Sequence, residues 1–358
     1  MYIPFTRKQI NVFKFITLLK KPLALQRQRL FLWRLVIPVC LLSACSSYIA
    51  NAKNYPISPQ GIDSQFMQIN ILNSFLLKTR QVNNLPVVEL SDLAWDEDEQ
   101  LLYAISDQGL LYHLKLRFND SSLTSLEDIQ FVNAMPLTDK NKVPLKGRAH
   151  DSEGLQLING NNGKRGDSQL IISFENKPRI AVHNTKGHFI KKIKIAKKLK
   201  GHKRYRGGNK ALESVTVHPE LGILTASEQP LNAKPITIQT VYSSKGKEWS
   251  FKASSIKNSS ITAIETMPNN KLLILERAYN GIFSPIVISL RELNLKDCGE
   301  KILCNTKPIA TFDSSEGWTV DNFEGLTRVR DNLYLMVSDN NKNPLQKTLM
   351  VFFEVLTP

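Results

Sequence analysis

The segment Asp321-Asn322-Phe323-Glu324-Gly325-Leu326, answered fifteen residues after Glu324 by Val337-Ser338-Asp339, sets the reading of the whole chain. It places an acid at the start of one strand, a short apolar hairpin next, and a second acid where the partner strand ends. The arrangement recurs. Asp92 is followed fifteen residues on by Ser106-Asp107, and Glu213 by Ser227-Glu228. Glu153, within His150-Asp151-Ser152-Glu153-Gly154-Leu155, is answered by Ser173-Phe174-Glu175 after a longer loop rich in Gly and Asn. A fifth copy is weaker: Glu276 supplies the closing acid, but fifteen residues before it stands Ile261. Asp92, Glu153 and Glu213 lie about sixty residues apart, and self-similarity at a fixed period is the mark of a repeat architecture.

Between the acids the chain reads as short alternating strands and turns with few helical segments. Each unit supplies about four strands, as in Ser214-Val-Thr-Val, Gly222-Ile-Leu-Thr-Ala, Thr237-Ile-Gln-Thr-Val and Trp249-Ser-Phe of the third. Four antiparallel strands repeated radially predict an all-β fold, a β-propeller. Five blades are expected, and six remain open because residues 64–88 and 118–146 have room for another. The fifth unit lacks an outer strand, and the segment around residues 66–72 is available to close the ring.

In a blade, the first strand begins and the second strand ends on one face, beside the central channel. Asp92, Asp107, Glu153, Glu175, Glu213, Glu228, Glu276, Glu324 and Asp339 are therefore expected around one mouth. So many carboxylates repel unless they protonate, meet basic groups or bind cations. Hard oxygen ligands of this kind suit Ca²⁺ or Mg²⁺. The competing reading is that individual acids cap turns or pair with Lys and Arg. Basic loops precede two of the acids: Lys140, Lys142, Lys146 and Arg148 before Glu153, and the run from Lys191 to Lys210, with Arg204 and Arg206, before Glu213. Arg148, Arg204, Arg206 and Lys210 are the expected contacts for an anionic, phosphorylated substrate. A solvated charge run, or a patch on anionic lipid, is the alternative. His150 leads into Glu153 and is expected either as a general acid/base or as a hydrogen-bonded structural residue. No nucleophile elbow, phosphate-binding loop or His-Glu-x-x-His motif is present.

At 358 residues, 42% hydrophobic and 22% charged, the chain can bury a core without staples. Its net charge of +15 is concentrated at the start, because residues 1–44 carry eight Lys or Arg and no acid. The remainder holds 39 basic and 32 acidic residues, a net of +7. A basic region, a short apolar run (Leu35 to Leu42) and Leu42-Ser43-Ala44-Cys45 have the layout of a secretory signal. Leu-Ser-Ala-Cys also resembles a bacterial lipobox, with Cys45 as the lipidated residue; an uncleaved anchor helix is the alternative. The expected organisation is a signal over 1–44, a tether over 45–63 and the propeller over 64–358. The protein is then expected in the bacterial cell envelope, anchored by lipid, facing the periplasm and sorted to the outer membrane. Its membrane contact is through that anchor alone, and a monomer is expected. Export, and the lack of stacking aromatics beside the basic run, argue against nucleic acid. Cys298 and Cys304 are expected to form a disulfide in an oxidising compartment, with a metal pair as the other reading.

The segments His150-Asp-Ser-Glu-Gly-Leu155, Asn322-Phe-Glu-Gly-Leu326 and Leu335-Met-Val-Ser-Asp-Asn340 resemble the phytase-like propeller family, described by an esterase-like activity of phytase. The resemblance runs from about Asp92 to the C-terminus. It implies a propeller and Ca²⁺-assisted hydrolysis of phosphate or other esters, with Glu153, Glu175, Glu324 and Asp339 matching best. Glu153 and Glu324, with His150, are the residues expected to act in catalysis. A non-catalytic propeller of the envelope, binding a ligand or a protein, is the competing expectation, because one fold carries both uses.

Overall fold

The computed structural model describes residues 52–356, apart from 120–122, 208–209, 282, 297 and 299–301. The expected signal over 1–44 and the lipidation at Cys45 lie outside the described residues. Five antiparallel sheets follow one another along the chain. Blade 1 comprises Leu90–Asp96, Leu101–Ser106, Leu110–Phe118 and Leu126–Pro136. Blade 2 comprises Ser152–Ile158, Gln169–Phe174, Arg179–Asn184 and Phe189–Ile193. Blade 3 comprises Leu212–His218, Gly222–Ser227, Ile238–Ser243 and Glu248–Lys252. Blade 4 comprises Ser259–Thr266, Leu272–Ala278, Val287–Leu293 and Thr306–Asp313.

Blade 5 has Asn322–Arg330, Leu333–Asp339 and Leu349–Val355, and takes its fourth strand from the N-terminal side, Ile69–Leu77. That strand pairs antiparallel along the last one, from Leu349 against Leu76 to Val355 against Ile69. The closing strand thus sits a few residues later than residues 66–72. No sixth blade exists among the described residues: Leu126–Pro136 belongs to blade 1, and a small hairpin joins Gln81–Val82 to Leu85–Pro86. The propeller also begins earlier than residue 64. Ala52–Asn54 adds a further strand outside Ile69–Leu77, and Ile57 is buried at 1% exposure, with its carbonyl accepting from Thr319 N. Part of the tether expected over 45–63 is therefore packed chain, with Ala52 and Ile57 buried, while residues 60–63 are exposed.

The core is divided into wedges between neighbouring blades. Ala94 and Ile105 of blade 1 meet Leu157 and Ile172 of blade 2; Ile171 of blade 2 meets Val215 and Tyr242 of blade 3. Leu224 and Val241 of blade 3 meet Ile264 and Ile274 of blade 4, and Leu273 and Ile288 meet Phe323 and Tyr334 of blade 5. The ring closes where Leu335 and Phe352 of blade 5 pack with Leu102 and Tyr112 of blade 1. Each fully buried Leu or Phe contributes roughly 1.5–3 kcal/mol relative to exposure, so the closing wedge holds the ring without a covalent clasp. Cys298 and Cys304 form a disulfide within blade 4, Cα–Cα 4.7 Å, between its third and fourth strands.

Every innermost strand carries a register shift near its start: at Leu90/Asp92, Ser152/Leu155, Leu212/Ser214, Ile261/Ala263 and Phe323/Gly325. A bulge lets two residues oppose one on the partner strand and re-aims a side chain. These five bulges decide what faces the mouth.

Candidate metal centre at the propeller mouth

The unpaired residues at the bulges are Ser91, Glu153 with Gly154, Glu213, Thr262 and Glu324. The second strands end on the same face at Asp107, Glu175, Glu228, Arg277 and Asp339. The ring of mouth positions thus holds seven carboxylates and one guanidinium. Asp151 adds an eighth acid ahead of blade 2. Glu153 feels Glu175, Asp151, Glu324 and Asp107, and Glu213 feels Glu228, Glu153, Glu175 and Glu324. The structure therefore gathers Asp107, Glu153, Glu175, Glu213, Glu228, Glu324 and Asp339, the acids expected there.

Asp92 and Glu276 belong elsewhere, and the reason is register. Leu212 pairs Ser227, Ile261 pairs Glu276 and Phe323 pairs Ser338, but Leu90 pairs Ser106. The blade 1 hairpin is one residue longer, so a count of fifteen back from Asp107 lands on Asp92 instead of Ser91. Asp92 faces inward. Its Oδ1 accepts from Leu93 N at 2.8 Å and Leu326 N at 2.9 Å, and its Oδ2 from Leu155 N at 2.7 Å. It is a staple joining three innermost strands, with both carboxylate oxygens taken by backbone donors, and not a cation ligand. Burial still pushes its carboxyl well above the usual range, against those three N–H donors. Glu276 is likewise spent, accepting from Arg291 Nη1 at 3.0 and 3.1 Å.

The same geometry explains both Glu-Gly-Leu segments. The Glu sits at the mouth, and the Leu N–H donates to Asp92. The Gly is required by close approach: a Cβ on Gly154 would lie 2.7 Å from Ser214 Cα, and one on Gly325 would lie 2.8 Å from Asp92 Cα. Neighbouring blade backbones leave no room there for a side chain.

On the blade 2 and 3 side, ligand oxygens of Asp151, Glu153 and Glu175 lie within 4.8 Å of one another, as do those of Glu175, Glu213 and Glu228. Glu175 belongs to both groups. Among the described residues the carboxylates of Glu153 and Glu213 accept no hydrogen bond, and burial, then neighbouring acids, push both well above the ordinary range. Burial likewise pushes Glu175 up to about 8, against the donation of Ala211 N to its Oε1 at 2.7 Å. Uncompensated, all-oxygen donors so close together fit a hard divalent cation. The residues present can hold such an ion.

On the blade 4 and 5 side the charge is met internally. Arg277 Nη1 donates to Glu324 Oε1 at 2.7 Å and to Asn322 Oδ1, and its Nη2 lies 3.4 Å from Glu228 Oε1. Burial works against the Arg277 charge, yet Glu324, Glu228 and Glu213 raise its pKa above the ordinary value. Lys210 Nζ, expected as a contact for an anionic substrate, donates to Glu228 Oε1 at 2.6 Å. Burial and Glu324 push Asp339 up to about 8, and burial pushes Asp107 up to about 7. Arg277 and Asp151 escaped the sequence reading, which followed acids fifteen residues apart. Aligned by strand end, Ser106-Asp107, Ser227-Glu228, Glu276-Arg277 and Ser338-Asp339 show that the fourth blade carries an Arg at the acid position.

The remaining expected residues are placed as follows. His150 Nδ1 donates to the Asp107 carbonyl at 2.6 Å, and its Cβ lies where a side chain on Gly109 would go. Its Nδ1 is spent on bracing the Asp107 turn, not aimed at a carboxylate, which favours the structural alternative. Arg206 donates from Nε to Pro230 O at 3.0 Å and from Nη2 to Lys234 O, so it holds a loop together instead of waiting for an anion. Arg148 and Arg204 are exposed, on the one-turn 3₁₀ helices Gly147–Ala149 and His202–Arg204.

None of the curated proteins matches the chain in sequence. Among solved structures it resembles the PQQ-bound form of aldose sugar dehydrogenase from Streptomyces coelicolor at 10% identity and a TM-score of 0.40, over 78% of this chain and 98% of that one. A Dos1 propeller resembles it at 11% identity and a TM-score of 0.34, over 80% of this chain and 75% of that one. Both are distant. The family described as phytase-like, "esterase-like activity of phytase", matches residues 85–342, which takes in all five innermost strands and both Glu-Gly-Leu segments. The chain belongs to the phytase-like family.

Proposed function

We propose that this protein hydrolyses phosphate or other esters at the acidic mouth with the help of a divalent cation, Ca²⁺ in the first instance. The observation that carries the reading is the pair of carboxylate groups sharing Glu175, in which, among the described residues, only Glu228 is paired with basic side chains. A cation held by Glu175 with Asp151 and Glu153, or with Glu213 and Glu228, would polarise an ester oxygen and make bound water a nucleophile near neutral pH. Lys210 and Arg277 hold Glu228 and Glu324 in place. Arg148 and Arg204, exposed on loops that precede blades 2 and 3, raise the local concentration of an anionic substrate.

The test is metal content of the purified protein, followed by turnover of p-nitrophenyl phosphate and p-nitrophenyl acetate with Ca²⁺ and with chelator. Calcium-dependent turnover that is lost in Glu153→Gln is the expected result. Bound metal without turnover of either ester would replace the enzyme with a binding propeller; neither metal nor turnover would overturn both. We also propose export and lipid anchoring at Cys45, supported by the basic, apolar and small-residue order of residues 1–45. Cys45→Ser is expected to release the protein from the membrane fraction, and unchanged anchoring would refute lipidation at that residue.

A further inference from the structure

On the outer flank of blade 2, a cavity of about 640 Å³ opens between the segment entering the blade and the segment leaving it. Its apolar lining includes Leu145, Ala181 and Phe189, the last forming an edge-to-face contact with His183. Lys140, Lys177 and Lys192 line it as well; all three are exposed, and none has a carboxylate partner among the described residues. The cavity's one acid, Asp139, is turned to its own loop, accepting from Asn141 N at 2.9 Å and Val143 N at 3.0 Å. Arg179, which also lines it, lies over the Phe174 ring at 3.6 Å and donates to the Ala149 and Lys177 carbonyls, so it stiffens the wall. Burial, with Arg179 beside it, lowers the His183 pKa to about 4, leaving that ring neutral. Positive charge at the cavity therefore comes from the three exposed lysines and the fixed Arg179, over a floor that is apolar.

A volume of this size lies within the range of small-molecule sites, where apolar walls supply burial and a few polar groups set orientation. Three unpaired ammonium groups beside an apolar floor complement one kind of occupant. We propose that this cavity binds a soluble small organic anion with an apolar, ring-sized body, its carboxylate or phosphate held by Lys140, Lys177 and Lys192. Its lining includes none of the mouth carboxylates, and binding there needs neither a cation nor hydrolysis. It gives the basic loops a task that Arg206, tied to its own loop, does not perform.

The experiment is titration calorimetry on the full chain in EDTA, which removes any metal-bridged binding at the mouth, with 2-naphthoate as the probe and 2-naphthol as its uncharged counterpart. Wild-type protein is expected to bind 2-naphthoate at least tenfold more tightly than 2-naphthol. The combined variant Lys140→Glu, Lys177→Glu, Lys192→Glu is expected to lose that preference. A control reversing Lys115, Lys247 and Lys257, which are exposed elsewhere, should keep it. All six substitutions are on exposed side chains, so folding is not at stake. Equal binding of the two probes to wild type, absent binding of 2-naphthoate, or an equal loss in the control variant would each overturn the proposal.

Discussion

The two halves of the propeller mouth solve the same electrostatic problem in opposite ways. Around blades 2 and 3, Asp151, Glu153, Glu175 and Glu213 crowd together with no ion pair of their own among the described residues, while neighbouring Glu228 takes Lys210. Around blades 4 and 5 the equivalent position is Arg277, whose guanidinium is wedged among Glu324, Asn322 and Glu228. One half carries its own cation; the other leaves carboxylate groups close enough to hold one. A single residue at the end of one strand makes that difference, because the bulges and strand ends of every blade deliver side chains to the same ring. The comparison also separates two kinds of buried acid. Asp92 has three backbone donors within 2.9 Å, whereas Glu153 and Glu213 have none among the described residues. The first is structural and the others await a ligand.

That contrast can be broken most forcefully at Arg277. Arg277→Ala leaves buried carboxylates without their cation, a loss of about 3–5 kcal/mol when one partner of a buried pair is removed. Urea unfolding in chelator should report it, and added Ca²⁺ should restore part of it. A change under about 1 kcal/mol would erase the distinction between the halves. Asp92→Ala should cost about 3 kcal/mol, since three buried N–H groups lose their acceptor at roughly 1–3 kcal/mol each with some relaxation. Calcium affinity should not move in that variant; a fall in affinity would put Asp92 back among the ligands. Glu175→Gln tests the other half with the opposite sign. Both carboxylate groups lose their shared member, so cation affinity measured calorimetrically should drop at least tenfold, about 1.4 kcal/mol. In chelator at pH 8 the same variant should be no less stable than the parent, because a crowded buried charge has been removed.

The same contrast sets the pH dependence of stability. Folded Asp107 is raised to about 7, and Glu175 and Asp339 to about 8, all above their unfolded values near 4. The folded state therefore keeps protons that the unfolded chain has released, so stability is full below about pH 4 and declines as pH rises toward 8. In EDTA the melting temperature should be lower at pH 8 than at pH 5, and Ca²⁺ should narrow the gap, since it binds the deprotonated form. Chelated protein that melts higher at pH 8 would show that the acids are not crowded as described.

Much of this architecture is legible in the chain because it is local. Alternation within four-strand units, an acid at one end of each first hairpin and a period near sixty residues are all properties of neighbouring residues. They suffice for a propeller, for the supply of a closing strand from the N-terminal side, and for Asp107, Glu153, Glu175, Glu213, Glu228, Glu324 and Asp339 at one mouth. The Glu-Gly-Leu segments also stand out, although their reason does not. Gly154 and Gly325 are needed because another blade's backbone lies against them, and both following N–H groups turn to Asp92.

The repeat, and the chemistry of the residues it brings round, are therefore written in local pattern. Which of those residues face the mouth depends on how the strands pair. A bulge and a turn one residue longer are set by how strands pair, not by any residue pattern, and a shift of one residue in a strand sends a side chain to the other face. That single step moved Asp92 from ligand to staple and put Arg277 where an acid was expected.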